Sequence, residues 1–153
     1  MTEFKGANKT KYDAGGSGDN NIGDGYIKTV EKVWMDTFSF TAVLTTADTV
    51  AIATIPANKK ITAVEVYLPA SIAPTDVTIN VGTVGDPDKF IDAANINSAD
   101  AAFVGGNGRK LTMNNPEGFQ FVTTAATDIF LALDNKAITA PTAGTITTVV
   151  KYT

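Results

Sequence analysis

Three aspartates stand within a seven-residue stretch, at Asp86, Asp88 and Asp92. Carboxylate oxygens are the hard ligands that calcium prefers, so this stretch could hold a metal ion. Its spacing lacks the ligand positions and the terminal glutamate of an EF-hand loop, and Lys89 lies among the acids. Aspartate and proline are also ordinary turn residues. We therefore favour a turn without metal, with the apolar pair 90–91 packed inward, and keep a calcium site as the weaker alternative.

A second candidate is the glycine-rich run 105–110, GGNGRK, which ends in Arg109 and Lys110. Backbone N–H groups of glycine loops beside cations can cradle a phosphate or a carboxylate. The run does not match the phosphate-binding loop, which needs Gly-Lys-Ser/Thr at the start of a helix, because a strand is predicted to follow here. A loop tip with solvated charges is the favoured interpretation.

Aromatic side chains form the third candidate. Trp34 and Tyr67 could stack on a sugar ring, as exposed aromatics do in sugar-binding sandwiches, although one tryptophan in the chain is thin support. Alternation along predicted strands is typical of core residues. We assign to the core the phenylalanines Phe38, Phe40, Phe119, Phe121 and Phe130.

The chain contains neither histidine nor cysteine. Histidine is the usual general base near neutral pH and the commonest zinc ligand, and cysteine supplies thiolate nucleophiles and disulfides. Most nucleophilic triads and transition-metal sites are thereby excluded. A hydrolase with two carboxylates facing one cleft stays open, but we expect no catalytic residue, no cofactor and no enzyme activity.

Size and charge narrow the classes further. The chain has 153 residues, 44% of them hydrophobic, and a net charge of −4, which predict one acidic globular domain rather than a nucleic-acid-binding protein. No apolar run approaches the roughly 18 residues of a membrane helix, and no secretory signal follows Met1. We expect a soluble chain made in the cytoplasm, without a membrane partner.

Period-two alternation dominates from residue 26 onward, which is typical of half-buried strands. The segment 26–35 fits a strand or a helix, and its β-branched residues favour a strand. Residues 97–103 could form one helical turn. Eight or nine strands predict an all-β fold, an antiparallel β-sandwich of jelly-roll type. The clearest predicted strands are 37–44, 49–55, 60–68, 76–82, 109–113, 119–123, 127–133 and 144–152.

Residues 1–25 differ from this body. They are rich in glycine, asparagine, aspartate and lysine, and such a segment gains too little from burial to offset the roughly 1–2 kcal/mol that ordering each residue costs. The sequence therefore predicts an extended N-terminal arm over 1–25, which becomes ordered on a partner, and a β-sandwich domain over 26–153.

Two stretches resemble small structural proteins of tailed-bacteriophage virions. These are GYIKTVEKVWMD at 25–36 and VGTVGDPDKFID at 81–92, followed by the strand GFQF at 118–121. Members of this family often carry "G-D-x-D-P-D-R-F-I", and Lys89 stands where the arginine is expected. The later motifs "D-I-x-L-x-L" and "G-x-I-x-x-x-V-x-Y" are matched by 128–133 and 144–152.

The resemblance implies a capsid decoration (cement) protein with a β-sandwich body. Such proteins commonly sit as homotrimers on the outer capsid surface of the virion and clamp neighbouring major capsid proteins. The arm would then supply the contacts with the major capsid protein, because aromatic side chains often dominate interface energies. The expected partner-binding residues are Phe4, Lys5, Tyr12, Tyr26 and Ile27.

Two other virion roles stay open at this point. A receptor-binding or head-fibre module would share the sandwich and the arm, and would need an exposed aromatic site for glycan or a metal site at the aspartates. A tail or neck adaptor is also an arm-bearing β body, so the sequence does not separate it from a capsid protein.

Overall fold

A computed structural model describes ten β-strands and one short 3-10 helix within residues 3–5, 31–39, 43–69, 76–96, 102–104, 108–138 and 145–153. The 3-10 helix covers Pro116–Gly118. The strands are β1 (Glu3–Lys5), β2 (Lys32–Ser39), β3 (Thr49–Ile55), β4 (Ile61–Pro69), β5 (Thr78–Thr83), β6 (Asp86–Asn95), β7 (Ala102–Val104), β8 (Gly108–Thr112), β9 (Thr127–Leu133) and β10 (Thr145–Tyr152).

The strands form two five-stranded sheets. The first sheet has the order β1-β3-β9-β5-β6 and the second β2-β10-β4-β8-β7. Chain order explains this arrangement: β2 pairs with β10, β3 with β9, β4 with β8 and β5 with β6, all antiparallel. Such nested pairing is a long hairpin rolled into two sheets, which is the jelly roll. The predicted all-β sandwich of jelly-roll type is confirmed.

The core lies between the sheets and follows the alternation in the sequence. Ile129, Leu131 and Leu133 of β9 are buried, and the residues between them are half-buried. The strand β3 is buried at every position after Thr49. Phe90 of β6 is the bulkiest of the completely buried side chains among the described residues. Because both sheets contribute branched aliphatic residues to one layer, the body of the sandwich is a rigid unit.

Two predicted strands are confirmed with their bounds, and two other predictions are wrong. The strands at 49–55 and 127–133 have the predicted bounds. The stretch 85–92 is not a turn, because β6 begins at Asp86, and its residues 90–91 are buried as expected. Residues 119–123 form no strand, since they follow the 3-10 helix as a turn and a single bridge.

The remaining differences concern strand bounds. β2 joins the end of the ambiguous segment 26–35 to the start of the predicted strand 37–44, and residues 26–30 and 40–42 lie outside the described residues. Of the predicted helical turn, residues 97–101 lie outside the description and residues 102–104 form β7 instead. β-Branched residues and aromatics in β2 outweigh the helical stripe that its sequence also permits.

Candidate interaction surfaces

Of the predicted arm, only residues 3–5, which form β1, are among the described residues. This strand pairs in parallel with β3, with Phe4 opposite Val50 and Lys5 opposite Ala51. Part of the arm therefore adds a strand to a sheet of its own chain through backbone hydrogen bonds. Tyr12, Tyr26 and Ile27 lie outside the described residues, so binding of a partner by the arm stays a prediction.

Three connections meet at one end of the sandwich: the β3–β4 turn, the β5–β6 hairpin and the β8–β9 connection. Lys60 and Val122 form an antiparallel bridge between the first and the third. The Thr123 hydroxyl reaches the carbonyl of Pro56 at 2.6 Å, and its oxygen accepts from the Lys59 amide at 3.0 Å. We call this the hairpin end, and its loops are tied together by hydrogen bonds.

Lys89 lies at the centre of the hairpin end. Its Nζ is 2.7 Å from Asp86 Oδ2 and 3.7 Å from Glu117 Oε2, and it stands 5.3 Å from the centre of the Phe121 ring. The Phe121 ring packs edge-on against Phe90 with centroids 5.8 Å apart. We call Asp86, Lys89, Glu117 and Phe121 the Lys89 cluster. It joins β6 to the β8–β9 connection by charge and by a cation–π contact.

The charges of the Lys89 cluster move the pKa values of its members. The hydrogen bond from Lys89 lowers the pKa of Asp86, and the bond to Asp86 raises the pKa of Lys89. The hydrogen bond that Asp88 shares with Asp86 raises the pKa of Asp88. The pairing with Lys89 thus favours the ionised form of Asp86, while the neighbouring Asp86 disfavours the ionised form of Asp88.

Two asparagines close the edge of β6. The Asn114 side chain accepts from the Asp92 amide at 2.8 Å and donates to the Asp92 carbonyl at 3.0 Å. The Asn115 amide donates to the Asp88 carbonyl at 2.9 Å. The backbone amides of both asparagines donate to the Phe90 carbonyl. Side chains therefore occupy edge groups that would otherwise invite another strand.

The chain then presents Phe119 at a tight corner. The Phe121 amide donates to the Gly118 carbonyl, with Phe119 at φ −67°, ψ 123° and Gln120 at φ 69°. These values define a type II turn, whose third residue is usually glycine. Phe119 is 55% exposed, so its assignment to the core is wrong. The alternation at 119–121 belongs to a turn, with only Phe121 packed against the core.

A second charged group lies on the outer face of the second sheet. Glu65 Oε1 accepts from Lys110 Nζ at 2.7 Å, and Glu65 Oε2 accepts from the Tyr67 hydroxyl at 2.8 Å. Tyr67 and Lys110 are directly opposite in the register, and Lys110 Nζ stands 5.4 Å from the centre of the Tyr67 ring. We call Glu65, Tyr67 and Lys110 the Lys110 cluster.

Electrostatics at the Lys110 cluster combine burial with pairing. Burial acts to raise the pKa of Glu65, but hydrogen bonds from Lys110 and Tyr67 and attraction to Lys110 and Lys151 outweigh it, so that the pKa lies below its ordinary value. The hydrogen bond to Glu65 raises the pKa of Tyr67 and of Lys110. The cluster therefore favours an ionised Glu65 beside protonated Tyr67 and Lys110.

Among the described residues, exposed large apolar side chains form groups in two places, and Val43, between β2 and β3, is exposed apart from them. On the outer face of the second sheet, Val33 and Met35 of β2 are each 57% exposed, and Met35 shares a row with Val149 and Glu65. At the hairpin end, the exposed set is Val84, Phe119 and Val122. Both places are candidate contact surfaces for a protein partner.

The other sequence candidates do not assemble into sites among the described residues. No group of three or more acidic, His or Cys side chains is placed to hold a metal ion in this part of the chain, which includes Asp86, Asp88 and Asp92. Arg109 donates to the Ile96 carbonyl and Lys110 to Glu65, so both cations of the glycine-rich run are engaged. Residues 105–107 lie outside the description.

The aromatic candidates for sugar stacking are also occupied. Trp34 is partly buried against the core, and the Tyr67 ring faces Lys110. Phe38 and Phe121 pack against the core as expected, Phe130 is half-buried outside the core cluster, and Phe40 lies outside the description. No helix in the described ranges is long and apolar enough to cross a membrane.

Sequence reasoning missed the Lys110 cluster. Glu65 and Tyr67 are two residues apart on β4, and Lys110 lies on β8, 45 positions after Glu65. Only the strand register brings Lys110 opposite Tyr67. A Glu-x-Tyr pattern on one strand and a basic residue on another is the signal available in the sequence, and it gives no pairing by itself.

No protein-family model matches this chain, and no curated protein matches it. Among solved structures, it is similar to a chain of the cyanophage Pam1 capsid asymmetric unit, with 25% identity, a TM-score of 0.61, and coverage of 80% of this chain and 83% of that one. Two further likenesses concern the fold. A chain of the Ralstonia phage GP4 capsid is 15% identical with a TM-score of 0.52, over 83% of this chain and 88% of that one. A chain of the acidic stable capsid of Helicobacter pylori bacteriophage KHP30 is 13% identical with a TM-score of 0.52, over 83% and 90%. The likeness at 25% identity supports a phage virion structural protein associated with the capsid, and the other two support the fold alone.

Proposed function

We propose that this chain is a phage capsid decoration (cement) protein, which binds the outer surface of the major capsid shell and stabilises it. The carrying observation is the 25% identity to a chain of the cyanophage Pam1 capsid asymmetric unit, which extends over four fifths of this chain. A likeness of that length includes both sheets and not one motif.

The body has the properties that such a role needs. A jelly roll with a single aliphatic core gives a rigid platform, and its hairpin end is fastened by the Lys89 cluster. Since the sequence has no histidine or cysteine, we propose binding without an enzymatic reaction or a cofactor, and since its net charge is −4, without a nucleic-acid partner. Many weak contacts on a repeating lattice add up through multivalency.

The arm is proposed to clamp a neighbouring subunit of the shell. Phe4 and Lys5 lie on β1 at the edge of the first sheet, and Tyr12, Tyr26 and Ile27 follow along the chain. A segment that becomes ordered on binding loses entropy but covers a large surface. We further propose a homotrimer, assembled after synthesis in the host cytoplasm.

The test uses shells of the parent phage assembled without this chain. Purified full-length protein is added, and binding is measured by co-sedimentation and by the temperature at which the shells open. The proposal expects saturable binding and a higher opening temperature. Absence of binding to intact shells would overturn the capsid role.

The arm is tested with the chain shortened to 26–153. We expect weaker binding to the shells than for the full chain, with the cooperative melting of the body retained. The melting curve is the necessary control because β1 pairs with β3. Equal binding by a folded shortened chain would remove the arm from the mechanism.

A further inference from the structure

The turn at Phe119 exposes an aromatic side chain on a rigid support. Gly118 lies so close to β6 that a Cβ placed on it would stand 2.5 Å from the Lys89 carbonyl oxygen. Asn115 caps the 3-10 helix by accepting from the Glu117 amide at 3.0 Å. Two contacts therefore hold the chain just before the exposed corner, and little conformational entropy is lost when a partner covers Phe119.

The backbone at the corner is strained at an exposed residue. Gln120 adopts φ 69°, a left-handed conformation that is uncommon for residues other than glycine, asparagine and aspartate. Both Phe119 and Gln120 are exposed, and the neighbouring Phe121 supplies the packing against Phe90. Strained residues on exposed corners are often found at binding sites.

The charges around this turn indicate the chemistry of its partner. Residues 86–92 and 113–120 contain four carboxylates and one lysine, a net charge of −3 (one minus four), while Lys59 and Lys60 of the β3–β4 turn pair with residues 122–123 at the same end. Lys89 is taken up by Asp86 at 2.7 Å. Asp92 is exposed, Asp88 is half-buried, and the Glu117 side chain is 73% exposed. These carboxylates form an acidic rim on the β6 side of the turn that carries Phe119, and the exposed Lys60 lies on the side of the β3–β4 turn.

We propose that Phe119 is the anchor by which this chain docks on the capsid shell, inserting into an apolar pocket that is bordered by lysine or arginine side chains of the shell protein. The inference rests on the proposed function and specifies the contact surface for it. Charge complementarity between the acidic rim and a basic border selects this partner over an apolar or acidic surface. Aromatic anchors in preorganised turns contribute a large share of interface energy.

The experiment compares full-length variants on shells assembled without this chain, by co-sedimentation at several sodium chloride concentrations. Phe119→Ala is expected to weaken binding by about tenfold or more, while its melting temperature stays that of the parent chain because the ring is exposed. Phe119→Tyr should restore binding. Asp92→Lys should weaken binding less, and added salt should weaken binding of the parent chain because it screens the rim.

Val33→Ala is the matched control, since Val33 is equally exposed on the other surface. If Phe119→Ala binds as well as the parent chain, or if Val33→Ala loses as much, Phe119 is not the anchor and the capsid role stands. If binding strengthens with salt, the basic border is wrong. If the parent chain itself does not bind, the proposed function fails and takes this inference with it.

Discussion

The Lys89 cluster and the Lys110 cluster each contain a lysine paired with a carboxylate beside an aromatic ring, but they are built differently. Each has a lysine 2.7 Å from a carboxylate and about the same distance, 5.3 and 5.4 Å, from the centre of an aromatic ring. Lys89 takes its carboxylate from three residues earlier on β6, whereas Lys110 takes its carboxylate from another strand. The first therefore depends on local chain geometry and the second on sheet register.

Their surroundings differ as well. The Asp86 side chain is 32% exposed and that of Glu65 is 14% exposed. Phe121 belongs to the core packing, while Tyr67 adds a hydroxyl that bonds the carboxylate. We infer that the Lys89 cluster fastens a loop mainly through its ring, and that the Lys110 cluster stabilises a sheet face mainly through its charges.

The largest expected effect separates the two rings. Phe121→Ala removes the edge contact with Phe90 and the ring beneath Lys89, and it should destabilise the chain by about 3 kcal/mol. Tyr67→Ala, on an outer face, should cost about 1 kcal/mol. Urea unfolding of both variants measures the difference. Equal losses would contradict the assignment of the ring as the main element of the Lys89 cluster.

The next effect concerns the close approach of the loop to β6. Gly118→Ala places a Cβ 2.5 Å from the Lys89 carbonyl oxygen and 3.0 Å from Phe90 Cα. Backbone atoms cannot rotate away, so the variant should lose about 2 kcal/mol. Gly85→Ala is the control, because nothing lies within 4 Å of its Cβ position. Thermal or urea unfolding should leave the Gly85 variant near the parent chain, and a similar loss in both would show that the contact is not limiting.

Two strands and one corner show how much of the fold could be predicted from the sequence. Alternation in 127–133 predicts β9, in which every second side chain from Ile129 on is buried, and the apolar run 49–55 predicts β3, which is buried at every position after Thr49. The stretch 119–123 has the same alternation, yet the 3-10 helix at Pro116–Gly118 and the close contact of Gly118 turn the chain into a corner. The pattern of residues at 119–123 holds no information about the contact between Gly118 and β6, which is distant in sequence.

The same limit applies to the candidate surfaces. The aspartates at 86–92 are visible in the sequence, but the addition of Glu117 and Phe121 to the pair of Asp86 and Lys89 depends on the loop that packs beside β6. The Lys110 cluster depends on the pairing of Tyr67 with Lys110. A register is fixed by the whole sheet and not by either strand.

Replacing the lysines should rank the two clusters in the opposite order from replacing the rings, with the larger loss of unfolding free energy at the Lys110 cluster. Lys110→Met leaves Glu65 poorly solvated without its ammonium partner, which should cost about 1–2 kcal/mol. Lys89→Met leaves the better solvated Asp86, which should cost about 0.5 kcal/mol. Double variants with Glu65→Gln and Asp86→Asn complete the two cycles in urea unfolding. A larger coupling for Lys89 than for Lys110 would contradict the charge-based description of the second cluster.

The smallest expected effect is the dependence of stability on pH. Burial acts to raise the pKa of Glu65, but the hydrogen bonds from Lys110 and Tyr67 and the charges of Lys110 and Lys151 together outweigh it and lower the pKa. A carboxylate with a folded-state pKa below its unfolded value stabilises the fold above the unfolded pKa, and that stabilisation is lost as pH falls through the folded pKa. The Lys110 cluster should therefore lose stability below about pH 4. Asp86, whose pKa is lowered by Lys89, should lose stability in the same range.

Beside the Lys89 cluster, however, Asp88 opposes this loss. Its pKa is raised by the hydrogen bond with Asp86, so the folded state gains relative stability as pH falls and Asp88 takes up its proton. Glu65 has no such neighbour among the groups that shift its pKa. Unfolding in urea between pH 7 and pH 3 should show that Glu65→Gln flattens the acid limb more than Asp86→Asn does. At high pH the Lys110 cluster should again lose more stability than the Lys89 cluster. Two of its groups, Tyr67 and Lys110, have raised pKa values, whereas in the Lys89 cluster only Lys89 does. Their stabilisation is present below their unfolded pKa values and is lost as pH rises through the folded ones. Equal flattening by the two variants would mean that the local and the cross-strand carboxylates respond to protons as one kind of site.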